Sequence, residues 1–177
     1  MINRAKFLQN GSCGFVLKPE ICTLATASKR ETLELTIRLI SGYHLPNARQ
    51  SENIIEPYVK IRIHVHPNDS NAWCSQTVPK NGFNPIWNEE TRFKISNPEH
   101  AIVEFKVILL TISIFQGKEY NNETFQVKSR AKVGEDDYLG SYFIALSLIR
   151  KGYRNISLEN YDGKRLTPAG LFVHINI

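Results

Sequence analysis

Two histidines, His64 and His66, stand two residues apart in the sequence Pro57-Tyr58-Val59-Lys60-Ile61-Arg62-Ile63-His64-Val65-His66. On a strand, that spacing puts both imidazoles on one face, and such a pair can begin a metal site. No third ligand stands nearby, and a solvated strand face is the preferred account of the pattern. A run of carboxylates, Glu135-Asp136-Asp137, precedes Tyr138-Leu139-Gly140. Calcium takes several oxygens from separate loops, so this run can line one side of a calcium cup, although acidic loops are commonly just hydrated. His44, His100 and His174 are scattered. The three cysteines, Cys13, Cys22 and Cys74, form no CxxC or metal spacing, and their odd number fits a reduced intracellular chain. No GxSxG, HExxH, P-loop or GxGxxG is present, so no catalytic constellation stands out.

The elements that carry these residues read as strands. Residues 32–41 alternate, with Leu33, Leu35, Ile37 and Leu39 opposite Glu34, Thr36 and Arg38. That two-residue period marks a half-buried strand. Residues 57–66 alternate in the same way, 73–79 and 86–95 follow, and 100–115 form a further strand region. Short strands are expected at 137–144 and 156–158, and residues 170–177 close the chain. Only 145–150 hint at a helical turn. Between these runs, Asn81-Gly82 is a turn dipeptide, and Asn84-Pro85 forces an extended or turning backbone before Ile86-Trp87. Trp87 is placed to plug the end of a sandwich. The pattern predicts an all-β, antiparallel eight-stranded sandwich; no βαβ alternation supports a parallel sheet. Residues 1–20 read as turn-rich with a brief strand over 13–17, and 20–31 as a linker.

The chain has 177 residues, 42% apolar and 22% charged, which suffices for one domain with a full core. Its net charge of +5 suits an anionic membrane or a nucleic acid as well as a plain domain. No aromatic-interleaved basic face supports nucleic-acid binding. The N-terminus has no signal-peptide core, and the longest apolar run, 107–115, is too short to span a bilayer as a helix.

Several stretches together resemble the C2 domain of phosphoinositide-specific phospholipase C. They are Leu-Thr-Ile-Arg-Leu-Ile-Ser-Gly-Tyr-His-Leu-Pro at 35–46, Glu56-Pro57-Tyr58-Val59, Asn81-Gly82-Phe83-Asn84-Pro85-Ile86-Trp87, Asp137-Tyr138-Leu139-Gly140, Lys151-Gly152-Tyr153-Arg154, and the ending at 166–177. Residues 3–19 look like the end of that family's catalytic TIM barrel, and the delta-like or zeta-like branch is the nearest fit. The resemblance implies residues 1–20 as a barrel remnant, 21–31 as linker and 32–177 as a C2 domain. It implies a parent enzyme that hydrolyses phosphatidylinositol 4,5-bisphosphate, with this chain as its membrane-docking and barrel-bracing module. The family's catalytic histidines and calcium ligands lie early in the barrel and have no counterpart here, so this polypeptide alone is expected to lack lipase activity. The alternative is a free-standing C2 adaptor for a membrane or a protein.

The resemblance also assigns sites. Ile54, Glu56, Asp136 and Asp137 would form a degraded calcium site. Glu56 stands where the family often has Asp, Lys80 where it has Asn, and Lys128-Ser129-Arg130-Ala131 where it carries an Asp-x-Asp. Calcium, the family's cofactor, is therefore expected to bind weakly or not at all. Lys80, Lys128, Arg130 and Lys132 would meet anionic headgroups, each worth roughly 1 kcal/mol. The implied partners are an anionic phospholipid membrane and a phospholipase C barrel, with no nucleic acid, and the implied location is cytoplasmic, peripheral to the membrane. Residues 108–127 exceed the family's length, and Phe125-Gln126-Val127 nearly repeats Phe105-Lys106-Val107. The segment reads as an insertion, either a retained intron or gene-model error or a lineage-specific loop. Transcript reads decide: uniform coverage of 108–127 in mature message excludes the error.

Overall fold

The computed structural model describes residues 2–14, 32–46, 54–65, 71–112 and 137–177. Its strands are β1 (Leu33–Tyr43), β2 (Ile54–His64), β3 (Asn71–Cys74), β4 (Ile86–Ile95), β5 (Ile102–Ile112), β6 (Asp137–Ala145), β7 (Gly152–Glu159) and β8 (Arg165–Asn176). They form one antiparallel run of eight in the order β3-β2-β5-β6-β7-β8-β1-β4. Between β6 and β7 the ladder thins to a single pair, Ser141 with Glu159. At that point the run folds over into a sandwich, β3-β2-β5-β6 against β7-β8-β1-β4.

One apolar core joins the two halves. Val59, Ile61 and Ile63 of β2 and Val103, Phe105, Val107 and Leu109 of β5 share a cluster with Leu35, Ile37 and Leu39 of β1 and Leu171, Val173 and Ile175 of β8. The alternation in 33–39 and 57–65 therefore does what it promises: odd-numbered residues go in and even-numbered ones out. Fully burying each such side chain contributes about 1.5–3 kcal/mol, which dominates a single backbone pair at the fold. Tyr138 reinforces that fold, its hydroxyl lying 2.8 Å from Ser141 Oγ and donating to the Glu159 carbonyl at 3.2 Å. Burial raises the Tyr138 pKa from its ordinary value, and the bond with Ser141 opposes that rise.

Several boundaries differ from those expected. The strand expected at 73–79 ends at Cys74, because the Ser75 side chain takes over the ladder: its Oγ accepts the Val59 N–H at 2.9 Å. β7 begins at Gly152 and β8 at Arg165, earlier than 156 and 170. Their polar openings, Tyr153-Arg154-Asn155 and Arg165-Leu166-Thr167, are carried by backbone pairing and have no apolar period to announce them. β5 starts at Ile102 after a one-turn 3-10 helix, Pro98–His100, and a second such turn, Leu146–Leu148, fills the helical hint at 145–150. β5 continues through Ile108–Ile112, paired with β2 from Tyr58 back to Ile54. Residues 113–127 of the apparent insertion, and 15–17 of the expected N-terminal strand, lie outside the described residues.

The N-terminus corrects the turn-rich reading. Residues Ile2–Gln9 form an α-helix, α1. Lys6, Leu8 and Gln9 are good helix formers, and Ala5 adds none of the bulk that would hold a helix away from a sheet. α1 packs against β6, with Ala5 buried and Gln9 Nε2 donating to Ser147 Oγ at 3.0 Å. The signal was faint because the helix shows almost no amphipathic period of its own.

Gly170 on β8 is sterically required. A Cβ there would meet Tyr43 and come within 2.6 Å of the Ile156 carbonyl oxygen. Gly170→Ala should lower stability by roughly 1–3 kcal/mol, read as a reduced denaturation midpoint. Adding Tyr43→Phe should restore only part, since the ring Cζ and the Ile156 carbonyl oxygen, each 2.6 Å away, remain in the way; full restoration would show that the Tyr43 hydroxyl alone sets the constraint.

Candidate functional site

The candidate site is the end of the sandwich where β2 and β6 begin and β5 ends. Ile54 pairs with Ile112 and Leu109 with Asp137, so those strand ends lie together. β3 runs antiparallel to β2, with Lys60 opposite Cys74, and the Val78 N–H then reaches the Pro57 carbonyl. The turn at 79–85 thus arrives at the same end, next to the close of β1.

That turn is fastened by several hydrogen bonds. Asn81 Nδ2 donates to the Asn84 carbonyl at 2.8 Å, and Asn81 Oδ1 accepts the Asn84 N–H at 3.1 Å. Asn84 Oδ1 in turn accepts the His44 N–H at 2.9 Å. The Gly42 N–H donates to the Pro85 carbonyl at 2.9 Å, and the Leu45 N–H to the Phe83 carbonyl at 3.0 Å. Beneath this corner Trp87 is only 8% exposed and joins the core. It plugs the sandwich end as its sequence setting implied. A Cβ on Gly42 would lie 3.1 Å from Leu45 Cδ1 and 3.3 Å from Trp87 Cη2, so the corner closes tightly over the indole.

The residues singled out from the sequence are not all brought together. Ile54 opens β2. Glu56 pairs with Leu110, and its row continues the half-exposed series Tyr58, Lys60, Arg62, His64. Asp137 opens β6 in the row of Leu109 and Pro57, which face the core. Side chains in neighbouring rows point to opposite faces of a sheet, so Glu56 and Asp137 diverge. Among the described residues, no group of three or more His, Cys, Asp or Glu side chains gathers in a metal-holding cluster. Asp136, Lys128, Arg130, Lys132 and His66 lie outside the described residues. Lys80 is exposed on the turn, with φ of 57°.

His64 has a more definite setting than a solvated face. Its Nε2 lies 2.6 Å from Glu104 Oε2, with Arg62 Nη1 4.0 Å from the same oxygen and the Phe143 ring beside the imidazole. Glu104 is buried, so the pair ties β2 to β5 on the outer face. Sequence reading missed it because Glu104 meets Arg62 and His64 only through the strand register. On the same face Lys60 stands directly opposite Lys106, whose ammonium sits 5.4 Å from the Tyr138 ring centroid. Like charges placed opposite one another disfavour the sheet slightly and leave a basic strip.

The fold and this loop-bearing end define the class: residues 33–109 match the C2 domain family, and the chain carries a C2 domain. It is homologous to the C2 region of the delta and zeta phosphoinositide-specific phospholipases C. It is 32% identical over 188 residues to 1-phosphatidylinositol 4,5-bisphosphate phosphodiesterase delta-3-A of Danio rerio, covering 99% of this chain and 21% of that protein. It is 32% identical over 181 residues to the human zeta-1 phosphodiesterase, covering 98% of this chain and 26% of that protein. Human inactive phospholipase C-like protein 2 is 31% identical over 189 residues, with 99% of this chain and 15% of that protein covered. The chain thus spans about a fifth of the length of the first of these relatives. Among solved structures, L. pealei PLC21 superposes with a TM-score of 0.71 at 25% identity, over 99% of this chain and 21% of that one.

The corner's bonds rank its substitutions. Asn81→Ala loses two bonds and Asn84→Ala the one to His44, each net bond being worth about 0.5–1.5 kcal/mol. Chemical denaturation should order them wild type, Asn84→Ala, Asn81→Ala; equal stability of all three would remove the corner as a structural lock.

Proposed function

We propose that the chain is the C2 docking module from the C-terminal part of a phosphoinositide phospholipase C, holding its enzyme at an anionic phospholipid surface. The homology across 99% of the chain carries this reading. The basic character adds to it: the net charge is +5, Lys80 is exposed on the loop-bearing end, and Lys60 and Lys106 line the outer face. Each basic side chain near an anionic surface contributes roughly 1 kcal/mol. In this reading residues 1–20 are the end of a catalytic barrel, 21–31 a linker and 108–127 an insertion into the C2 domain. The parent enzyme would hydrolyse phosphatidylinositol 4,5-bisphosphate, and the barrel would be this domain's covalent partner at the cytoplasmic side of the membrane.

Calcium has a minor part in this proposal. Ile54, Glu56, Asp136 and Asp137 would offer at most a depleted set of oxygens. Lys128 and Arg130 would place two cations in the loop where the family carries an Asp-x-Asp. Like charges brought together in this way, a cationic side chain beside a cation, cost ~4 kcal/mol per close pair near a surface. Electrostatic attraction to headgroups would take over the docking role.

A second reading is a non-enzymatic C2 adaptor. The similarity to an inactive phospholipase C-like protein favours it, because the same domain accompanies both kinds of relative. An upstream reading frame that encodes the two barrel histidines would support the enzyme; its absence from the complete gene would support the adaptor.

The test is co-sedimentation of the chain with neutral or phosphatidylserine-containing vesicles, in calcium or in chelator. Binding to anionic vesicles in chelator, lost at high salt, is expected. Binding that requires calcium would show that Glu56 and the loop carboxylates still build a working site. No binding in either condition would overturn membrane docking.

A further inference from the structure

We propose that the outer edge of β4 pairs with the β4 edge of a second copy of this chain, in one antiparallel register centred on Thr91. The inference stands apart from membrane docking, since it uses the side of the sandwich and needs no lipid.

β4 ends the run of eight strands and, among the described residues, has a strand on one side only, β1. The strand at the other end of the run, β3, has four residues, whereas β4 has ten. From Glu89 to Ile95 its pairing with β1 is unbroken, with no register shift and no proline. Such an edge presents backbone N–H and C=O groups in position for another strand. Short length, proline and bulges are common defences of an edge, and this stretch has none of them. Charge is the defence it keeps. Its exposed row runs Asn88, Glu90, Arg92, Lys94, so the charge is of both signs. A row of mixed sign selects a partner where a row of one sign would repel every like edge.

The order of those charges fits the row to itself. A two-fold axis perpendicular to the sheet keeps the exposed rows of both copies on one side, so even-numbered residues stand opposite even-numbered ones. With Thr91 on the axis, Glu90 stands opposite Arg92 of the second copy, Arg92 opposite its Glu90, and Asn88 opposite its Lys94. In the buried row Glu89 stands opposite Phe93, so no like charges meet. Neighbouring axes fail this condition. An axis at Glu89 or Glu90 sets that carboxylate against itself, one at Arg92 sets arginine against arginine, and one at Phe93 sets Arg92 against Lys94. Opposite charges across a strand pair favour pairing and like charges oppose it. Within one copy Arg92 Nη2 already donates to Glu90 Oε1 at 3.2 Å, with the side chains 68% and 47% exposed. The same contact across the axis therefore adds little desolvation. The axis also points the two loop-bearing ends in opposite directions, so one flat bilayer can meet only one of them.

The test is sedimentation equilibrium of the full chain over a wide concentration range, in reductant because Cys13 and Cys74 are exposed. A reversible rise in average mass toward that of two copies is expected, weak because a single strand edge buries little surface. Glu90→Arg alone, or Arg92→Glu alone, should weaken association roughly tenfold or more, since the symmetry makes each change act twice. Glu90→Arg together with Arg92→Glu should restore it, because opposite charges then face each other again across the axis. Both side chains are exposed, and unchanged thermal midpoints would confirm folding. The mass of one copy at every concentration would overturn the proposal. Association that both single changes leave intact would place the contact on another surface and overturn it too. Failure of the double change to restore association would overturn the register. Vesicles enter none of these outcomes, so this interface and membrane docking fail separately.

Discussion

The structure depends on one requirement: two four-stranded layers must share a single apolar core although almost no backbone pairing joins them. Among the described residues, Ser141 with Glu159 is the only pair at the fold between the layers. One net backbone hydrogen bond is worth about 1 kcal/mol. The inward rows of β1, β2, β5 and β8 supply many times that by burial, so side chains, not the ladder, decide that the sheet doubles over. Tyr138, Ser141 and Glu159 then fix where it doubles.

The core ends at Trp87, and the consequences run outward from there. An indole at the mouth of a sandwich needs a lid, and the lid is the turn bound to the close of β1 through Gly42, His44 and Leu45. Fastening the turn from inside leaves Phe83 and Ile86 outside. The same residues that seal the core thus shape the exposed surface at this end of the sandwich. Asn81 and Asn84, polar residues that could pass for loop filler, are the fasteners.

Function follows from that surface and from ancestry. Among the described residues the one buried carboxylate, Glu104, is engaged by His64 and Arg62. That suits a module that positions chemistry performed elsewhere in a longer protein. The relatives include both a phosphodiesterase and an inactive phospholipase C-like protein.

The sequence by itself determined the all-β class, the inward faces of β1 and β2, the core position of Trp87 and the family. These follow from local period and motif, which need no knowledge of neighbours. It left α1 unread, because a helix of low amphipathic period announces itself only through what it docks against. It missed the starts of β7 and β8, whose polar residues are strand only because a partner strand supplies the bonds. Tertiary structure alone decided that Glu56 and Asp137 occupy opposite faces, that His64 meets Glu104, and that Lys60 stands opposite Lys106. Each is a question of register between segments distant in sequence, and a shift of one residue would reverse every answer.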